Sequence, residues 1–131
     1  MDRVLEESFF FYRHKCRFDV QVDTQEQRIV LPVGAIGAIT LPVDLIELAP
    51  KPVIRRPDED RCTVLTDGML RITKGYLAAM RRRGVTIVEP GTWIVLPMHD
   101  NDPAVPWRWE PAPLQENPTL PRPSEIFAGL N

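Results

Sequence analysis

Apolar and polar residues alternate without a break from Cys16 to Asp23. Cys16, Phe18, Val20 and Val22 fall on one side, and Arg17, Asp19, Gln21 and Asp23 on the other. A period of two marks a strand with one buried face. The polar run TQEQ turns the chain into a second strand beginning Arg28-Ile29-Val30-Leu31. PVGAIGAITLP (32–42) is apolar but broken by glycines, so it reads as a tight, buried, irregular crossing where small residues let backbones approach closely. A phosphate loop is disfavoured there, because no Lys or Ser/Thr stands at the required offset before a long helix. LPVDLIELA reads as a short helix, with Pro42 near its first turn and Pro50 as its stop. KPVIRRPDEDRCTVLTD reads as a hairpin with Pro57 to Asp60 at its turn. Asp67 stands as the cap of the strongest helix pattern, GMLRITKGYLAAMRRRG, in which Met69, Ile72, Tyr76 and Met80 recur at helical spacing. Ile72 and Tyr76 are expected to face the sheet. Arginines in the last turn suit the helix dipole, and Gly84 is a natural stop. VTIVEPGTWIVLP reads as a second hairpin about a type II turn at Pro90-Gly91.

Beyond Pro97 the periodicity ends. Eight of the 14 prolines lie between Pro97 and Pro123, so the segment reads as an extended tail that wraps the domain or a partner. SEIFAGL closes it with a helical turn. The expected fold is a single α+β domain: a mainly antiparallel sheet, one major helix packed on it, and a proline-rich C-terminal tail. The core domain covers 1–96 and the tail 97–131.

The chain has 131 residues, of which 44% are hydrophobic and 26% charged, enough for one domain with a core needing neither metal nor disulfide. The formal net charge of −2 supplies no global field for nucleic acid. Charge is nevertheless segregated: Arg71, Lys74, Arg81, Arg82 and Arg83 form a basic run free of acids. Cys16 and Cys62 belong to no zinc-ligand spacing and read as free buried thiols of a reducing compartment, with a disulfide between them as the alternative. The first 18 residues do not form a signal peptide, and no apolar run approaches the ~20 residues of a membrane helix. A cytoplasmic protein without a membrane partner is expected.

Candidate chemistry is sparse. The serines are Ser8 and Ser124 and the histidines His14 and His99, and none lies in a glycine elbow. His14, between Arg13 and Lys15, reads as solvated. His99 with Asp100 and Asp102 has metal-ligating residue types on one loop, but polar loop tips commonly look alike. Asp58 and Asp60 have the carboxylates that hold a divalent ion against a triphosphate, yet their arginine neighbours neutralise them without one. No catalytic residue, metal or cofactor is therefore assigned. The candidates for contact with a partner or with nucleic acid are Arg81, Arg82 and Arg83 at a helix end, and Trp107, Arg108 and Trp109 in the tail. Trp93 is expected to pack on the helix. Of the tail tryptophans, Trp109 is expected inside and Trp107 more exposed.

The segment order Gly84 to Val88, Thr92 to His99, Trp107 to Trp109 and Leu120 to Pro123 resembles the C-terminal part of bifunctional primase/polymerase (Prim-Pol) domains of the archaeo-eukaryotic primase class. There a G-x-D-V-R strand, a G-G-x-V-V-x-P-P-S-x-H strand, a Y-x-W segment and an L-P-x-x-P finish follow one another. The order AITLP, VLTD, IVLP, W also resembles that of small actinobacterial proteins. The stretch CTVLTDG has no histidine where the Prim-Pol family needs one, and Val88-Glu89 replaces the family's Asp-Arg pair. The resemblance implies a shortened relative that keeps the fold without the chemistry. Two functions follow as expectations: a non-enzymatic regulatory or protein-interaction protein whose partner is another protein, or a degenerate Prim-Pol-like module that binds nucleotide or nucleic acid without catalysis.

Overall fold

The computed structural model describes residues 2–68, 74–103 and 105–130. The expected first helical turn at residues 69–73, with Ile72, and the Tyr76 side chain lie outside the described residues, while Asp67 is the last residue of a strand.

Helix α1 (Arg3–Phe10) opens the fold, capped by the Asp2 carboxylate, which accepts from Val4 N at 2.9 Å. It runs on into one π-helical turn over Phe11–Lys15. The hydrophobic pattern of the sequence does not announce this element. The alternating stretch then delivers its expected face: Cys16, Phe18 and Val20 are buried and Arg17, Asp19 and Gln21 exposed. Strands β1 (Gln21–Asp23) and β2 (Arg28–Pro32) pair antiparallel about the expected turn. Strand β3 (Ile36–Pro42) follows. The irregular crossing expected over 32–42 is thus mostly a regular seven-residue strand. It is paired on both sides, by β5 (Arg61–Asp67) and β6 (Thr86–Ile87), and these two ladders outweigh the ~0.5–1 kcal/mol conformational cost of Gly37. Between β3 and β5 come a 3-10 helix over Val43–Leu48 and strand β4 (Val53–Arg55), which forms the expected hairpin with β5. Helix α2 (Lys74–Arg82), β7 (Trp93–Leu96), β8 (Arg108–Glu110) and α3 (Pro123–Leu130) complete the chain.

The α+β class holds, with all strand pairing antiparallel in two sheets, β1-β2-β7 and β6-β3-β5-β4-β8. Two sheets arise because the expected second hairpin does not exist. The type II turn does form: Gly91 has φ +88 and Thr92 N bonds Glu89 O at 3.2 Å. Its two arms, however, go to different sheets. Gly91 N donates to Val33 O and Val33 N to Thr92 O, which is the glycine form of a β-bulge. There the ladder β2–β7 ends and the ladder β3–β6 begins, so the two sheets are joined by one bent ribbon.

The larger sheet is the middle layer. One face presents Ala38, Ile54, Leu65 and Trp109 to a core shared with Leu5, Tyr12, Ile29, Leu31 and Leu96 from α1 and the smaller sheet. The other presents Ile39, Leu41, Val53, Cys62 and Val64 to Met80 of α2 and to Ile126, Phe127 and Leu130 of α3. Residues after Pro97 thus fill both cores. Among the described residues no helix is long and apolar enough to cross a membrane.

Candidate functional site

Side chains of directly paired residues share a sheet face, so the register sets one row across the larger sheet: Thr86, Thr40, Thr63, Ile54, Trp109. At the apolar end of this row Trp109 is sealed into the core, 2% exposed. Its Nε1 donates to Tyr12 Oη at 2.7 Å, and that hydroxyl donates to Pro97 O at 2.6 Å. Burial pushes the Tyr12 hydroxyl far above its ordinary value, which keeps it a neutral donor. At the polar end the row is open. Thr40 and Thr86 hydroxyls lie 2.6 Å apart, and Arg61 Nη2 donates to both and to Gly84 O.

Above this threonine shelf is a cleft of about 250 Å³, lined by Thr40, Ile54, Thr63, Val88, residues 92–95 and Trp107. Trp93 stands 50% exposed at its border, which corrects the expectation that it packs on the helix. The reason is the lost hairpin: Ile94 and Leu96 pair with Leu31 and Ile29 toward the core, so alternation turns Trp93 outward. Trp107 is half-buried, with the Arg56 and Arg28 guanidiniums 5.0 and 5.9 Å from its ring centroid. Each of these arginines also holds a carboxylate: Arg56 bonds Asp58 at 2.7 Å and Arg28 bonds Asp23 at 3.1 Å.

The expected contact residues are not brought together. Arg81, Arg82 and Arg83 are exposed at the end of α2, by the β6 edge. Trp107 is by the β8 edge at the opposite side of the same sheet. Arg108 points to the other face from Trp107, into a hollow with Lys51, Asn101 and Glu110, and donates to Asn101 O at 3.2 Å. Trp109 is core. The cleft instead joins Trp107 to Trp93, Thr40 and Thr63, with Arg28 and Arg56 against the Trp107 ring and Arg61 bonded to Thr40. The sequence did carry one sign of this shelf: single threonines interrupt otherwise apolar strands at AITLP, CTVL and VTIV.

Ser8 Oγ lies 2.9 Å from His99 Nδ1, but Ser8 is fully buried and its oxygen also accepts from His99 N, so the pair ties α1 to the loop after β7. Burial pushes the Cys16 thiol up to about 12 and raises that of Cys62, so both are protonated and poor nucleophiles. Both cysteines are free. Asp58, Glu59 and Asp60 are exposed on the hairpin turn, and no group of three or more His, Cys, Asp or Glu converges as a metal site among the described residues. No family model, curated protein or solved structure matches the chain.

Proposed function

We propose that this chain is a non-enzymatic, cytoplasmic protein-interaction module whose contact surface is the cleft between Trp93 and Trp107. The observation that carries the reading is the half-exposed Trp93 beside a second tryptophan stacked with arginines. Tryptophan and arginine are the residues in which interface energy concentrates. The tail contributes Trp107 to this surface, while Trp109 serves the core. The alternative, a Prim-Pol-like module that binds nucleotide or nucleic acid without catalysis, is supported by the same stacked guanidiniums and by Arg81, Arg82 and Arg83. It is disfavoured by the net charge of −2 and by the carboxylates already paired with Arg28 and Arg56.

The test replaces Trp93 with photo-crosslinking benzoylphenylalanine in cells. A discrete protein adduct is expected, resistant to nuclease and lost with Trp107→Ala. The same probe at Leu48, equally exposed at 48% on another element, is expected to give none. Adducts that nuclease removes would favour the nucleic-acid reading, and no discrete adduct at all would defeat both.

A further inference from the structure

Strand β7 is an edge strand whose outer side is unpaired. Val33 N bonds Thr92 O, and backbone direction alternates along an antiparallel ladder, so Ile94 and Leu96 turn their N–H and C=O toward β2. Trp93 and Val95 turn theirs away. No backbone hydrogen bond among the described residues engages these outward groups. Trp93, Ile94 and Val95 all line the cleft, and three consecutive residues of a strand do so only when its edge, not one face, forms the wall.

An open edge of sequence Trp-Ile-Val-Leu is a template for another strand unless something blocks it. The molecule blocks the comparable edge elsewhere. At β8 the Asn101 amide stands in for a neighbouring strand: Oδ1 accepts from Trp109 N at 2.8 Å and Nδ2 donates to Trp109 O at 2.9 Å. Among the described residues no charged residue, proline or side-chain amide does this along Trp93–Leu96.

We propose that β7 receives an extended, acidic segment of a partner protein as an added strand. This rests on the cleft being a protein-contact surface and names the kind of partner it takes. The main-chain groups of Trp93 and Val95 supply the ladder, and an apolar side chain of the guest enters between Trp93 and Trp107. Acidic flanking residues of the guest meet Arg61, which is bonded to Thr40 of the cleft lining. Arg61 bonds only hydroxyls and a carbonyl and has no carboxylate partner among the described residues, while Arg28 and Arg56 have one each. A second copy of the chain fits less well, since its own edge strand Trp93–Leu96 carries no acidic residue to meet Arg61.

Selection of a random nine-residue peptide display library on the full chain tests this, with Val95→Pro protein for counter-selection. That proline removes a donor that only the guest strand uses, a place where edge strands tolerate it. Synthetic peptides methylated at alternate amide nitrogens repeat the test without altering the protein. The expected result is enrichment of peptides with Asp or Glu beside an apolar residue, with binding weakened about tenfold or more by Val95→Pro or by N-methylation. Failure to enrich any peptide, enrichment of basic ones, or indifference to N-methylation overturns strand addition. The contact-surface reading then still stands if the Trp93 crosslink forms, and falls with it if that is also absent. A dimer in sedimentation that Val95→Pro converts to monomer would assign the edge to a second copy and also overturn the proposal.

Discussion

Three tryptophans close together in sequence end in three environments, and the difference is set by register. Trp109 pairs with Ile54 in the middle of the row that the smaller sheet and α1 cover. Trp107 is on the same face two residues earlier, past the covering layer. Trp93 is on the outward face of an edge strand. Truncation should therefore separate them. Trp109→Ala opens a large cavity and removes the donor to Tyr12 Oη, so it should lower stability by about 3–5 kcal/mol. Trp93→Ala removes a half-exposed ring that belongs to neither core cluster and should cost under about 0.5 kcal/mol. Urea denaturation measures both. Equal losses at the two positions would mean that the exposure of Trp93 is wrongly assigned.

Among the elements, the end of α2 is the most tightly determined. Gly84 N bonds Arg81 O and Val85 N bonds Met80 O, a Schellman close in which Gly84 has φ +83. Met80 and Val85 then meet in the core, as that motif favours. A Cβ at Gly84 would lie 2.8 Å from Pro42 Cγ in a backbone conformation that side chains resist. Gly84→Ala should cost about 1–3 kcal/mol. Gly75, within the same helix and with nothing within 4 Å of an added Cβ, should respond oppositely, Gly75→Ala gaining about 0.5–1 kcal/mol. Thermal unfolding of the pair reads the two signs, and a shared sign contradicts the C-cap assignment. This stop, like the burial of Cys16, Phe18 and Val20 and the 53–67 hairpin, was legible because a local pattern dictates it. The pairing of β7 was not. Pro90-Gly91 gave the right turn, but whether its arms pair with each other or with the β2–β3 ribbon depends on strands some sixty residues away in sequence. The cleft inherited that ambiguity, because its wall is the edge which that choice leaves open. Helix α1 is not legible from the pattern because three consecutive phenylalanines, Phe9 to Phe11, blur its 3.6-residue period where it runs into the π-helical turn.

For the whole molecule, the proline-rich segment is expected to decide whether the chain folds, because its side chains complete both cores. With eight prolines between Pro97 and Pro123 it has few backbone donors to give, and it is held by side chains and by the short strand β8. Those side chains go into both layers: Met98, Trp109 and Leu114 into the core under the smaller sheet, and Ile126, Phe127 and Leu130 into the core under α2. A chain ending at Leu96 loses an edge strand, a helix and the ring that holds Tyr12 in place. Each of several large buried side chains is worth about 2–5 kcal/mol on truncation, against a total stability of about 5–15 kcal/mol for a domain. The 1–96 fragment is therefore expected to lack a cooperative unfolding transition and near-ultraviolet dichroism. A fragment ending at Arg122 keeps β8 and the first core and loses only α3, so it should retain the Trp109 environment while exposing the α2 side of the sheet. Dichroism and dye binding on the two fragments distinguish these states. A 1–96 fragment that unfolds cooperatively would show that the segment wraps a core already complete without it, and would free Trp107 to move with a partner.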